Sequence, residues 1–245
     1  MFTHHRTQGI ILEKNNRGEA SQLFSLYTKD YGKLNILGRA IRKSQSKLRA
    51  GADFLFFSNV EFIQGKAVKT LTDAIVIEKF NNIRKDLEKL TVVREITETL
   101  DRLTRTEEKD TKIWIFFLKT LKALNSSKLS GEKLKLFYQY FFWKIIILLG
   151  YKPELYNCVF CQCKLTPGII YFNPKEGGMV CGNCHQGTKE SKEVSLDIIK
   201  ILRFIIEKNW ATVSRLKISR NDLASLKENS DFYPSFIARP AISDY

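Results

Sequence analysis

Two C-x-x-C pairs constrain the fold of this chain more than any other feature of its sequence. Cys158 and Cys161 form the first pair, Cys181 and Cys184 form the second, and residues 162–180 separate them. A C-x-x-C turn presents two thiolates along one edge of a tetrahedron, and a second pair that loops back supplies the opposite edge. This spacing is typical of a zinc site built from two knuckles. We therefore predict one Zn²⁺ ion bound by all four cysteines.

A redox dithiol, a pair of disulfides, or a chance pattern would also account for the cysteines. The chain has five cysteines and no recognisable export signal, which indicates a cytosolic protein, and disulfides rarely persist in the cytosol. Zinc is therefore favoured. Four thiolates leave no open position on the metal, so we expect a structural ion. Cys163 and His185 lie beside the pairs in the sequence, and either could replace one ligand.

Enzyme signatures are missing from the sequence. A zinc deaminase needs H-x-E together with P-C-x-x-C, but Asn157 precedes Cys158 and no histidine has a glutamate two residues later. The chain also contains no G-x-x-x-x-G-K-[ST], H-E-x-x-H or G-x-S-x-G motif. The adjacent Glu107 and Glu108 lie in a charged break between helices, where a solvated turn explains them. A zinc-stabilised enzyme is thus the weakest hypothesis, and we expect no catalytic residue.

The charge balance favours a polyanionic partner. Forty basic residues against twenty-six acidic ones give a net charge of +14, which favours nucleic acid over acidic lipid. A basic protein with no such partner is the alternative. The most apolar stretch, residues 134–149, is interrupted by Lys135, Gln139 and Lys144 and is shorter than the roughly 20 residues that span a bilayer. It predicts a buried helix and no membrane association.

The first 80 residues have the pattern of a small β-barrel. Short runs rich in β-branched and aromatic residues alternate with turn signals near residues 15–18 and 29–32. Five strands with one long connection after the third predict an OB-fold, although an SH3-like barrel would give a similar pattern. The expected strands cover residues 9–12, 21–28, 34–37, 54–63 and 68–77.

The long connection, residues 38–49, is the candidate nucleic-acid contact and is called the basic loop below. It contains no acidic residue, and cations on an OB-fold loop can follow a phosphate backbone. A charged run is usually a solvated loop, but the missing acidic residues and the barrel favour binding. The aromatic residues nearby, Tyr27, Tyr31 and Phe57, are expected in the core rather than in a stacking platform. The basic residues of the loop are Arg39, Arg42, Lys43, Lys47 and Arg49.

From residue 81 the hydrophobic period becomes helical. Apolar stripes predict helices over residues 87–103 and 112–124, and a third helix over 131–149 is apolar on most faces. Ser195 and Ser219 are expected to cap two further helices. We therefore predict an α+β protein with three domains: an OB-fold at 1–80, a helical domain at 81–157 and 188–245, and a zinc lobe at 158–187 inserted in it.

This arrangement resembles the bacterial RecO family of recombination mediators. Residues 27–33 resemble the family's T-x-x-x-G-K turn, and Gly38-Arg39-x-x-Arg42-Lys43-Ser44 follows as its basic run. Residues 150–155 are similar to the approach to its zinc knuckle, and Phe172 with Gly177-Gly178 is similar to the return. Cys163 departs from the family pattern, which has a glycine near that position.

The resemblance implies a protein that binds single- and double-stranded DNA and anneals complementary strands. Its implied partners are RecR and single-stranded DNA-binding protein, with which it would load RecA onto coated gaps. It implies a structural zinc, no covalent step, and a place on the nucleoid in the bacterial cytoplasm. An RNA- or ribosome-associated barrel with a zinc ribbon shares these features except the family motifs. The resemblance implies DNA contacts by Lys33, Arg39, Arg42, Lys43, Lys47 and Arg49.

Overall fold

The computed structural model describes residues 3–65, 68–185 and 191–233. The chain forms two compact units, residues 1–129 and 130–245. Within these residues, the first unit contains a closed five-stranded barrel and three α-helices. The second contains the remaining α-helices, a three-stranded sheet and all five cysteines. The predicted boundary between the zinc lobe and the helical domain, at residues 187–188, lies outside the described residues.

The barrel consists of five strands that close in the order β1-β2-β3-β5-β4. All neighbouring strands run antiparallel except β3 and β5, which pair in parallel at Ile36–Lys69 and Leu37–Thr70. This is the OB-fold predicted from the sequence. The strands are β1 (His4–Arg17), β2 (Ser21–Thr28), β3 (Gly32–Gly38), β4 (Phe57–Gln64) and β5 (Lys69–Glu78).

Two strands, β1 and β4, differ most from the predicted boundaries. Strand β1 begins at His4 instead of residue 9, because its polar first half pairs through the backbone with β4, and it continues to Arg17. The first turn therefore falls at Gly18, which has a φ of +67°. Residues 54–56 form a turn before β4 rather than its start, because Leu55 has a left-handed φ of +65°.

The barrel core consists of inward-facing apolar side chains from all five strands, such as Phe24, Leu34 and Phe62, each at most 1% exposed. Burying a large side chain of this kind contributes about 1.5–3 kcal/mol to stability. Tyr27 and Phe57 are also buried, and their rings pack against Phe117 and Trp114. Both therefore belong to the core, as predicted.

Three helices complete the first unit: α1 (Asn81–Arg84), α2 (Leu87–Leu103) and α3 (Thr111–Ser126). Asp86 accepts a hydrogen bond from the amide of Lys89, and Asp110 accepts from two amides of the first turn of α3. The middle of the predicted stripe on α2, at Val93, Ile96 and Leu100, is buried. Leu90 and Leu103 are partly buried, and the first residue, Leu87, is 82% exposed. These three helices belong to the same compact unit as the barrel, whereas the sequence pattern placed them in one domain with the later helices.

The second unit is built around α4 (Glu132–Leu148), which packs against α6 (Leu196–Glu207) and α8 (Arg220–Phe232). Its buried side chains lie on most of its faces, as predicted from its sequence. Ser195 and Ser219 cap α6 and α8 through the amides of Ile198 and Asp222, again as predicted. The other elements of this unit are β6 (Ile170–Asn173), β7 (Gly178–Cys181), α5 (Gly182–His185), β8 (Lys192–Glu193), α6 (Leu196–Glu207), α7 (Trp210–Val213) and α8 (Arg220–Phe232).

The cysteine lobe, defined here as residues 151–185, lies between α4 and α6 in the sequence. Its strands β6 and β7 form a three-stranded sheet with β8. Among the described residues, no helix has the length and apolar character needed to cross a bilayer.

Candidate metal centre and nucleic-acid interface

Backbone hydrogen bonds fold the first cysteine pair into a knuckle. The amide of Gln162 donates to the carbonyl of Cys158 at 2.9 Å, and the amide of Cys158 donates to the carbonyl of Cys163 at 2.9 Å. Gln162 has a left-handed φ of +59°, which turns the chain back on itself. Glu154 accepts hydrogen bonds from the amides of Asn157 and Tyr156, and these bonds hold the pKa of its carboxyl below the usual value.

The β6–β7 hairpin delivers the second cysteine pair to this knuckle. The side chain of Asn173 accepts from the amides of Lys175 and Glu176 in the turn, and Cys181 ends β7. Gly178 is required because a Cβ there would lie 2.6 Å from a methyl of Val159. Cys184 follows on the single turn α5.

The four predicted ligands come together as the spacing predicts. Their Sγ atoms all lie within 4.8 Å of one another. Tetrahedral coordination with metal–sulfur bonds near 2.3 Å requires sulfurs roughly 3.8 Å apart, and the Sγ atoms of Cys161 and Cys181 are 3.8 Å apart. In the described part of the chain this is the one group of His, Cys, Asp and Glu side chains placed to hold a metal ion. The donor set and the spacing therefore fit a four-thiolate metal site.

Cys163 and His185 differ in their relation to this cluster. The Sγ of Cys163 lies 3.3 Å from that of Cys161. The amide and thiol of Cys163, with other thiols of the cluster, lower the pKa of Cys161 to about 6, and the Cys161 sulfur raises the pKa of Cys163 to about 12. The ring of His185 instead stacks on Tyr171, with centroids 3.4 Å apart.

The basic loop is folded onto the barrel by its two apolar residues. Ile41 is 1% exposed within the barrel core, and Leu48 packs against the same core. The amide of Arg42 donates to the carbonyl of Ala20, and a 3-10 turn covers Lys47–Ala50. This anchoring was not predicted, although isolated apolar residues in a charged run are its signal in the sequence. The loop is thus a chain of ordered turns.

This anchoring turns all five loop cations outward. Each of them is exposed, and none forms an ion pair with any described residue. A shallow pocket of about 480 Å³ within the loop forms a concave surface, and its lining includes Arg39, Lys43, Ser44 and Ser46. Many other cations of the first unit are in ion pairs: Arg6 with Glu61, Lys14 and Arg84 with Asp53, Lys33 with Asp101, Lys69 with Glu107, and Lys109 with Asp30.

Lys33 is placed differently from the other predicted DNA contacts. Its side chain is 14% exposed, and its Nζ donates to the carbonyl oxygen of Asp101 at 2.5 Å. Asp101 lies in the last turn of α2, where carbonyls have no partner within the helix. Lys33 therefore joins β3 to the end of α2, and its charge is already engaged.

Asp53 organises the end of the connection that carries the basic loop. Its carboxylate accepts from Lys14, Arg84 and the amide of Phe54, while Arg84 also donates to the carbonyl of Phe54. Burial raises the pKa of Asp53, but the hydrogen bond from Lys14, the amide of Phe54 and the two cations outweigh it and lower the pKa. Gly51 makes this path possible, because a Cβ there would lie 1.7 Å from the carbonyl oxygen of Ala74. This anchor was not predicted from the sequence either.

The fold and the site define a class: an OB-fold protein with a cationic loop, continued by a helical region that carries a four-cysteine lobe. Two family models match the chain, "Recombination protein O N terminal" over residues 1–80 and "Recombination protein O C terminal" over residues 84–235. The chain belongs to the RecO family.

Similar proteins named DNA repair protein RecO occur in several bacteria. The protein of Dehalococcoides mccartyi strain CBDB1 is 33% identical over 91% of this chain and 86% of its own length. That of Caldanaerobacter subterraneus subsp. tengcongensis is 27% identical over 92% and 88%. That of Halalkalibacterium halodurans is 24% identical over 91% and 85%. The family is thus one of DNA repair proteins.

Proposed function

We propose that this protein is a non-enzymatic, DNA-binding mediator of recombinational repair. It binds single- and double-stranded DNA, anneals complementary strands, and acts with RecR to load RecA onto strands coated by single-stranded DNA-binding protein. The observation that carries the proposal is the basic loop, where five exposed cations lack ion-pair partners among the described residues of an OB-fold. Membership of the RecO family supports the choice of DNA as the ligand.

The loop offers the chemistry that a phosphate backbone needs. Arg39 and Lys43 supply cations to the concave surface, and the hydroxyls of Ser44 and Ser46 can donate to the same phosphate oxygens. Because these cations lie on turns anchored by Ile41, little backbone freedom is lost when DNA binds, and the entropic cost falls mainly on the side chains. Lys33 is left out of the proposed contacts, because its ammonium is engaged with Asp101.

Annealing by this surface needs no covalent step. Two complementary strands repel each other as polyanions, and fixed cations lower that repulsion while the bases remain free to pair. The aromatic residues Tyr27 and Phe57 are buried in the barrel, so binding would depend on phosphate contacts more than on base stacking by these rings. Such binding is tolerant of sequence, as an annealing protein requires.

We further propose that the four cysteines bind Zn²⁺ and that the ion is structural. Four thiolates leave no open position for a substrate or water. The ion would join the knuckle to the β6–β7 hairpin, in which each strand is only four residues long. Bound zinc then supplies cohesion that so small a core lacks.

Strand annealing on protein-coated DNA tests the function. Complementary strands coated with bacterial single-stranded DNA-binding protein are mixed with the full chain, with and without RecR, and duplex formation is followed by fluorescence. We expect annealing of the coated DNA strands, and loss of annealing when Arg39, Arg42, Lys43 and Lys47 are replaced by alanine. Annealing of RNA with no effect on coated DNA would instead support an RNA-associated protein and overturn the proposal.

A turnover assay tests the non-enzymatic part of the proposal separately. The same preparation is incubated with labelled DNA, or with ATP, and divalent metal ions. We expect intact DNA and nucleotide. Metal-dependent cleavage or hydrolysis that co-purifies with the chain would show that an enzymatic step had been missed.

A further inference from the structure

The cysteine lobe brings five thiols to a site that needs four. Cys158, Cys161, Cys181 and Cys184 have mutually close sulfurs, and the Sγ of Cys163 lies 3.3 Å from that of Cys161. Cys158 is buried, whereas Cys161 and Cys163 are exposed. Neither the family match nor the proposed function gives the fifth thiol a role.

Cys163 does not act as a fifth simultaneous ligand. Thiolates that share a tetrahedral zinc lie roughly 3.8 Å apart, and the contact between Cys163 and Cys161 is shorter than that, at 3.3 Å. Structural zinc sites built from cysteine are four-coordinate, so the fifth sulfur lies outside the coordination sphere when the other four bind the metal. At this distance it is a hydrogen-bonding neighbour of the Cys161 sulfur.

The backbone holds Cys163 in this position. Its carbonyl accepts from the amide of Cys158 at 2.9 Å, and Asn157 and Lys164 form a β-bridge directly outside it. The left-handed turn at Gln162 brings the side chains of its two neighbours to one side. Cys163 therefore stays beside the metal position whether or not Cys161 binds the metal.

We propose that Cys163 is a reserve zinc ligand that replaces Cys161. In the exchange the Cys163 sulfur bonds to the metal and its proton passes to the departing Cys161 sulfur, so that charge and ligand number are unchanged. The two sulfurs that would change places are 3.3 Å apart, and both belong to exposed side chains. His185 is not the reserve, because its ring is stacked on Tyr171 with 7° between the planes.

The consequence is a site that tolerates loss of its exposed ligand. Thiolates that are exposed are the ones that oxidants and alkylating reagents reach first. Cys161 is such a ligand, and Cys158 is protected by burial. The reserve sulfur lies next to the vulnerable ligand, where a replacement is useful.

Zinc content of single and double variants tests the proposal on the full chain. Zinc per chain is measured by elemental analysis after purification, together with its rate of transfer to a chelator. We expect about one zinc per chain in wild type, Cys163→Ala and Cys161→Ala, and its loss in Cys161→Ala/Cys163→Ala. Cys158→Ala is the matched control. It removes a ligand for which we propose no replacement, and it should also lose zinc. A Cys161→Ala chain as empty of zinc as the double variant would overturn the proposal.

Cobalt substitution counts the thiolates directly. Sulfur-to-cobalt charge-transfer absorption scales with the number of bound thiolates, so the wild type and Cys163→Ala should give the same intensity. Cys161→Ala should retain that intensity if Cys163 has replaced the missing ligand. A fall of about one quarter, as expected for three remaining thiolates out of four, would contradict the exchange. Failure of Cys161→Ala to fold with metal would contradict it as well.

Discussion

The basic loop and the cysteine lobe carry the proposed DNA-binding and metal-binding side chains, and they hold these side chains in opposite ways. The loop uses Ile41 and Leu48 as apolar anchors in a large neighbouring core, which leaves its cations free. The lobe gathers four of its thiols within 4.8 Å of one another, so that they serve its own cohesion. The functional side chains are therefore spread out towards solvent in the loop and gathered around one point in the lobe.

The same contrast separates the cations of the first unit from one another. The cations of the basic loop have no ion-pair partner among the described residues, while Lys33 and Lys69 are tied to Asp101 and Glu107. Lysines also cap helix ends elsewhere, as when Lys89 donates to the carbonyl of Ser127 after α3. The net charge of the chain thus overstates the charge that DNA can reach.

The largest effect is expected from removing a metal ligand. Cys158→Ala should abolish zinc binding and destabilise the lobe, because thiolate-bound zinc contributes about 10 kcal/mol to folding in small modules. Thermal unfolding followed by calorimetry should show a transition lost or lowered for the second unit. Binding of DNA by the barrel should persist. If Cys158→Ala unfolded at the same temperature as the wild type but no longer bound DNA, the metal would belong to the DNA-binding site and its purely structural role would be contradicted.

Replacing Lys33 should affect stability and leave the electrostatic behaviour unchanged. Lys33→Met should lower the free energy of unfolding by about 1–3 kcal/mol, because it leaves the Asp101 carbonyl without its donor. Lys29→Met is the matched control, an exposed lysine with no ion pair among the described residues, and should change stability by about 0.5 kcal/mol or less. Urea denaturation measures both. If Lys33→Met were as stable as Lys29→Met but bound DNA more weakly, Lys33 would be a DNA contact rather than a structural residue.

A smaller effect is expected from the carboxylate of Asp53, and it depends on pH. The pKa of this group is lowered in the folded state from its ordinary value of 3.8, so its ion pairs stabilise the fold above that pH and are lost as the pH falls through the folded pKa. Asp53→Asn should therefore cost about 1 kcal/mol or less at neutral pH. The difference from wild type should shrink below about pH 4. Denaturation at several pH values checks this, and a difference that grows with acidity would contradict it.

Much of the fold followed from local pattern. Runs of β-branched and aromatic residues between turn signals predicted the barrel strands, the helical pattern predicted α2 and α3, and Ser195 and Ser219 marked two helix starts. The cysteine spacing gave the metal cluster with all four sulfurs close together. These features depend on residues near one another in the chain, or on a spacing that permits one geometry.

The rest depended on contacts between distant residues. Lys33 is engaged by a carbonyl 68 residues further along the chain, which no local pattern reveals. The polar first half of β1 is a strand only because β4 pairs with it. The left-handed Leu55 breaks a run that β-propensity alone assigns to a strand. The DNA contacts and the domain boundaries remain predictions.

The salt dependence of single-stranded DNA binding tests the central claim most directly. Arg39, Arg42, Lys43 and Lys47 are replaced together by alanine, and binding is titrated across salt concentrations. A control variant replaces Arg6, Lys14, Lys69 and Lys109, four cations of the same unit that already form ion pairs. Both variants lose the same net charge, and circular dichroism confirms that both are folded.

The two variants should behave differently if only cations without ion-pair partners bind DNA, and alike if the net charge of the chain alone matters. Each phosphate contact on a single strand contributes about −0.7 to the slope of log affinity against log salt, so the loop variant should flatten the slope by about 3 units. The control should flatten it by less than about 1 unit. Equal flattening by both variants, or an unchanged slope in the loop variant, would contradict the account.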